Sequence, residues 1–158
     1  MTRETVGRMM EILLVEDSLV DASATMGALR HAHVKHRLTL VRDGDEANEF
    51  LHRQGKFASA PQPDLILLDL HLPKKDGLEL LAEMRSDFRL RDIPVVVLTA
   101  SADEVDRNRS ATLQVEHYML KPVNVDKFVA VVRELKNCWF TELVLAAAEQ
   151  HHCAAADK

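Results

Sequence analysis

Glu16, Asp17, Asp69, Thr99 and Lys121 are the side chains of this chain whose types and settings could do chemistry together. Each stands at the end of an apolar run: EILLVED, LILLDL, IPVVVLTA and HYMLK. Carboxylates packed together raise at least one pKa unless a cation intervenes. Hard oxygen ligands in a small solvated cleft suit Mg²⁺, which takes only one or two carboxylates and keeps several waters. A carboxylate beside such an ion can attack a phosphoryl group in line. An ammonium group can then hold one of the transferring oxygens, the role open to Lys121, and the Thr99 hydroxyl can donate to another. Taken singly, each residue has a plainer reading. The acids could be unrelated strand tips, Lys121 a solvated lysine before Pro122, and Thr99 a threonine placed by β-propensity.

The elements that must position these groups are legible in the hydrophobic pattern. EILLVE at 11–16, 64–69 around LILLD and 93–98 within IPVVVLTA read as strands, and their unbroken apolar character suits a sheet covered on both faces. HRLTLV alternates at period two, and HYML is a short fifth strand. Between them lie helical stretches. LVDASATMGALRHA at 19–32 has Val20, Ala24 and Ala28 at four-residue spacing with Leu29 beside them. DGDEANEFLHRQGKF supplies a turn and a helix, and GLELLAEMRSDF has an apolar stripe of Leu78, Leu81 and Met84. SADE has capping-box spacing, with Ser101 three residues before Glu104, and marks another helix start. In VDKFVAVVRELKNCWF, Phe128, Val131, Val132 and Leu135 face inward. Five strands alternating with five helices predict an α/β fold, a parallel sheet with helices on both faces. Sites in such sheets form beyond the carboxyl ends of the strands, where the acids, Thr99 and Lys121 fall.

The chain has 158 residues, 47% hydrophobic and 28% charged, about the size of one domain. A formal charge of -5 argues against a nucleic-acid surface, and RHAHVKHR reads as the solvated end of a helix. No apolar run reaches membrane length and MTRETVGRMME lacks a signal peptide's core, so the expectation is a cytoplasmic protein without a membrane segment. Cys138 and Cys153 match no metal pattern and read as free thiols, and His151-His152-Cys153 does not present one helical face to a metal. The C-terminal stretch carries Trp139, Phe140, Leu143, Val144 and Leu145, too apolar for an indifferent tail, and a dimer contact is the favoured use.

EILLVEDS, LILLDLHLPKKDG, VVVLTAS and YMLKP together resemble, in order and spacing, the receiver domain of bacterial two-component response regulators. The LPKKDG turn and the link around QGKFASAPQPD are most similar to the single-domain regulators paired with bacterial and cyanobacterial phytochromes. The resemblance implies a doubly wound, flavodoxin-like sheet of order 2-1-3-4-5, a receiver domain over 10–137 and a partly helical extension over 138–158. It implies that Asp69 is the phosphoacceptor. It implies Mg²⁺, or Mn²⁺, held by Glu16 through water and by Asp17, Asp69 and the main-chain carbonyl of His71. Thr99 and Tyr118 match the switch pair, and Lys121 and Pro122 the lysine-proline step. The implied partners are a sensor histidine kinase of the phytochrome type, a second copy of the chain in a homodimer, and a downstream protein. The chain departs from the family at TLQVEHYM, where a Gly-Ala pair usually precedes the aromatic.

The resemblance implies a domain that catalyses its own phosphotransfer and autodephosphorylation rather than a conventional turnover enzyme. A phosphorylation-independent interaction module would be expected to lack an acid or the lysine, and all are present. A phosphatase with an aspartyl nucleophile would need a second acid two residues after Asp69, where His71 stands.

Overall fold

The computed structural model describes residues 9–32, 34–100, 115 and 117–134. Five parallel strands, β1 (Met10–Val15), β2 (His36–Val41), β3 (Leu65–Asp69), β4 (Val95–Thr99) and β5 (His117–Leu120), form one sheet of order β2-β1-β3-β4-β5. Four α-helices flank it among the described residues: α1 (Leu19–His31), α2 (Gly44–Leu51), α3 (Gly77–Ser86) and α4 (Val125–Glu134). The helix expected to start at Ser101, Leu135, both cysteines and the apolar C-terminal stretch lie outside the described residues.

The central strands are buried on both faces, and period-two alternation divides their side chains between two cores. Ile12, Leu14, Leu65, Leu67, Val96 and Leu98 meet Leu29 of α1 and Phe128, Val131 and Val132 of α4. Leu13, Val15, Ile66, Leu68, Val95 and Val97 meet Phe50 of α2 and Leu80, Leu81 and Met84 of α3. Each fully buried leucine contributes roughly 2 kcal/mol of transfer free energy, so the strand tips stand on a rigid floor. β4 starts at Val95, two residues later than expected, because Pro94 has no N–H for the ladder; its carbonyl still accepts from Ile66 N at 3.0 Å.

The apolar stripe expected on α1 is corrected. Val20 is 79% exposed, and the buried residues are Ala22, Thr25 and Leu29. Leu29 is buried and Ala28 packs against the first core as expected, whereas Val20 and Ala24 are exposed, so the buried stripe is rotated toward Ala22 and Thr25. Alanines mark several faces of this helix equally, and spacing alone does not choose between them. Packing against the sheet chooses, once the start of the helix is fixed. Ser18 caps it, its side chain accepting from Asp21 N at 3.2 Å, an interaction worth ~1 kcal/mol.

Two close backbone approaches fix the loop after β3. Gly44 N donates to Pro73 O at 3.5 Å, and Gly77 N donates to Leu70 O at 3.1 Å. Lys74, between them, sits at φ 63, in the left-handed region.

Candidate functional site

Register builds the site. Val15 pairs with Leu68 and Asp69 with Leu98, so Glu16, one residue past β1, stands beside Asp69 at the tip of β3. Alternation turns both toward the face of Leu14 and Leu67, beneath α1 and α4. Thr99 pairs with Leu120, and Lys121 N donates to Thr99 O at 2.7 Å, which continues the ladder one residue and delivers Lys121 to the same rim. The Lys121-Pro122 peptide is cis. Glu16, Asp69 and Thr99 are all buried.

Carboxylate oxygens of Glu16, Asp17 and Asp69 all lie within 4.8 Å of one another. Asp69 is held from two sides: Oδ1 accepts from His71 N at 3.0 Å and Oδ2 from Lys121 Nζ at 3.0 Å. Glu16 Oε2 accepts from Ser18 N at 3.3 Å, and Arg42 fixes the Asp17 backbone by donating to its carbonyl at 2.7 Å. The His71 side chain is exposed, and its backbone folds over the acceptor. Tyr118 is half-buried against the second core.

Sequence reasoning missed Asp21. Its Oδ2 lies 3.0 Å from Lys121 Nζ, which makes it a fourth carboxylate at the site. An acid in the first turn of a helix has a sufficient reason in the helix dipole. The available signal was its place one turn beyond the Glu16-Asp17 tip.

Burial dominates the electrostatics of Glu16. Loss of water, with the neighbouring Asp69 acting in the same direction, pushes its carboxyl from 4.5 up to about 7, and Lys121 only partly opposes this. Burial pulls the Lys121 ammonium down, but its contacts with the Glu16, Asp69 and Asp21 carboxylates outweigh it and raise its pKa.

These residues fit a divalent cation. The donors are all hard oxygens: the carboxylates of Glu16, Asp17 and Asp69 cluster, and Glu16, Asp21 and Asp69 share the Lys121 ammonium. Glu16 Oε1 is buried without a hydrogen-bond partner; Lys121 Nζ, at 2.6 Å, contacts it as a charge but off the hydrogen-bonding direction. That oxygen has capacity to spare for a cation.

A pH dependence follows. A carboxyl with a raised folded pKa favours folding most below its ordinary 4.5, and this contribution is lost as pH rises through about 7. Metal-free protein should therefore lose stability across that window. Mg²⁺, which binds the ionised form, should stabilise progressively more up to and past neutrality. Thermal melts from about pH 5 to pH 8, with Mg²⁺ or with EDTA, check this. A Mg²⁺ increment that does not change with pH would refute it.

The response regulator receiver domain profile matches residues 12–133. Response regulator Rcp1 of Synechocystis sp. is 43% identical over 137 residues, covering 87% of this chain and 93% of Rcp1. The Mn²⁺-bound form of Rcp1 superposes with a TM-score of 0.67, covering 81% of this chain and 96% of that one. The bacteriophytochrome response regulator RtBRR is 43% identical with a TM-score of 0.76, over 82% of this chain and 79% of that one. A phosphorylated cyanobacterial phytochrome response regulator, RcpA, is 43% identical with a TM-score of 0.69, over 85% of this chain and 96% of that one. No helix among the described residues is long and apolar enough to cross a membrane. An acidic cluster able to coordinate a divalent metal, at the tips of a 2-1-3-4-5 sheet, accompanies this similarity. The chain belongs to the receiver domains of two-component response regulators and is closely related to the phytochrome-associated ones.

Proposed function

We propose that the chain accepts a phosphoryl group on Asp69 from the phosphohistidine of a sensor kinase of the phytochrome type, and signals through the protein surface that this changes. The observation that carries the reading is Asp69 itself, a buried carboxylate held between Lys121 Nζ and the His71 N–H, both at 3.0 Å. An Asp69 oxygen attacks phosphorus; the O–P bond forms as the N–P bond to the kinase histidine breaks, and the histidine leaves neutral once protonated. The Lys121 ammonium binds a phosphoryl oxygen as charge passes onto it, and the Thr99 hydroxyl donates to another. Asp17, Asp69, the His71 carbonyl and, through water, Glu16 are the groups that would hold Mg²⁺ or Mn²⁺. The ion supplies neutralisation of the transferring oxygens.

The acyl phosphate adds about two negative charges. Thr99 moves toward them, and Tyr118 turns into the space released, shifting a two-state equilibrium around β5. We place the receiver unit at 10–137. The extension at 138–158 is assigned to a homodimer contact, with a further protein as the downstream target.

Mass spectrometry of the protein incubated with acetyl phosphate and Mg²⁺ tests the chemistry. One phosphate is expected on the peptide containing Asp69, and EDTA should prevent it. Phosphate on another residue, or none, would overturn the assignment.

A further inference from the structure

We infer that Asp21 is a positioning residue that holds the Lys121 ammonium before phosphorylation and is exchanged for a phosphoryl oxygen when Asp69 is phosphorylated. This deepens the proposed function and rests on Asp69 being the acceptor. The ammonium is already crowded by carboxylates. An ammonium has three N–H groups. Lys121 Nζ donates to Asp21 Oδ2 and Asp69 Oδ2, both at 3.0 Å, and holds Glu16 Oε1 at 2.6 Å as a charge contact. An arriving phosphoryl oxygen, which brings its own charge, competes with these three carboxylates for the ammonium, and the contact that yields is the one cheapest to release.

The three differ in what displacement costs. Glu16 has no exposed side-chain surface and Asp69 has 8%, so neither can be rehydrated where it stands. Moreover, Asp69 carries the new group and cannot leave. The Asp21 side chain is 44% exposed, and water can solvate it as the ammonium departs. Asp21 is therefore the partner that yields. Its backbone stays where it is, because Ser18 caps α1 through Asp21 N.

The exchange has a direction in kinetics. While Asp21 is charged, it competes for the ammonium and adds negative charge at the entrance used by an anionic donor. Asp21→Asn keeps the size of the side chain and removes the charge. It should accept phosphate from acetyl phosphate about two- to fivefold faster, the range expected for a half-exposed ion pair. The gain should shrink as salt is raised, since exposed charges are screened. Asp21→Glu, which restores the carboxylate, should return the rate toward wild type. In metal-free protein the Lys121 ¹⁵Nζ resonance should shift in Asp21→Asn, a readout independent of turnover.

The arms separate the two claims. Incorporation that persists in Asp69→Asn overturns the acceptor assignment, whatever Asp21→Asn does. If Asp69→Asn is silent and Asp21→Asn is unchanged or slower than wild type, the exchange is wrong and the acceptor stands. A faster Asp21→Asn with a salt-sensitive gain supports it.

Discussion

Asp69→Asn is expected to lower phosphate incorporation by at least about two orders of magnitude while making the metal-free protein more stable, because an amide is no nucleophile but also carries no charge. The stability gain is decided by distances. Asp69 has one ionic attraction, to Lys121 at 3.0 Å, and a hydrogen bond from His71 N that an amide oxygen can also accept, against repulsion from ionised Glu16 and Asp17, whose oxygens lie within 4.8 Å. Two repulsions at that range about match one attraction, and relief of burying a charge then tips the balance toward the variant. A gain of about 1 kcal/mol is expected, a few degrees in melting temperature. Mg²⁺ should add less to this variant than to wild type, since one of its ligands has lost its charge. Phosphate incorporation by mass spectrometry and melts with and without Mg²⁺ measure both. Undiminished incorporation, or a variant less stable than wild type without metal, would contradict the account.

Gly44→Ala is expected to be among the most destabilising single-methyl additions, at about 3 kcal/mol. A Cβ at Gly44 would lie 1.9 Å from Lys75 O and 2.6 Å from Lys75 Cβ. At Gly77 it would lie 2.6 Å from Leu70 Cα and 2.8 Å from Asp69 O. Backbone cannot swing aside as a flexible side chain can, so the loop between Asp69 and Asp76 must shift. Metal affinity should fall with stability in both variants, because that loop contains His71 and follows directly from the acceptor. Gly27→Ala is the control. It lies inside α1, with nothing nearer than an Arg30 side-chain nitrogen at 3.8 Å, and should stabilise by about 0.5–1 kcal/mol. Denaturant melts and Mg²⁺ titrations read the three variants. Gly44→Ala melting with wild type would show that the approach is looser than described.

What was legible beforehand follows from how locally each feature is encoded. LILL and VVVL are short runs apolar without alternation, which suits a doubly covered strand, and parallel order then places Asp69, Glu16 and Thr99 at one rim. Lys121 was legible for the same reason, following HYML directly. The face of α1 was legible only in part, because its alanines fit several stripes and packing against the sheet chooses among them. Asp21 was hidden behind a sufficient local explanation, helix-terminal acid, and its partner is 100 residues away. Gly44 and Gly77 read as turn punctuation, whereas their importance lies in backbone brought close by tertiary packing.

β5 is four residues long and lies at the edge of the sheet, with β4 as its strand neighbour. Short edge strands are where a sheet opens at least cost. Lys121 works against that as a latch, reaching from the end of β5 past β4 to Asp69 on β3 and Glu16 beyond β1. The catch of the latch is the carboxylate cluster that receives the chemistry. Any event that rearranges charge there also resets how readily the outer strand lifts, so the sheet's edge and its reactive centre share one free energy.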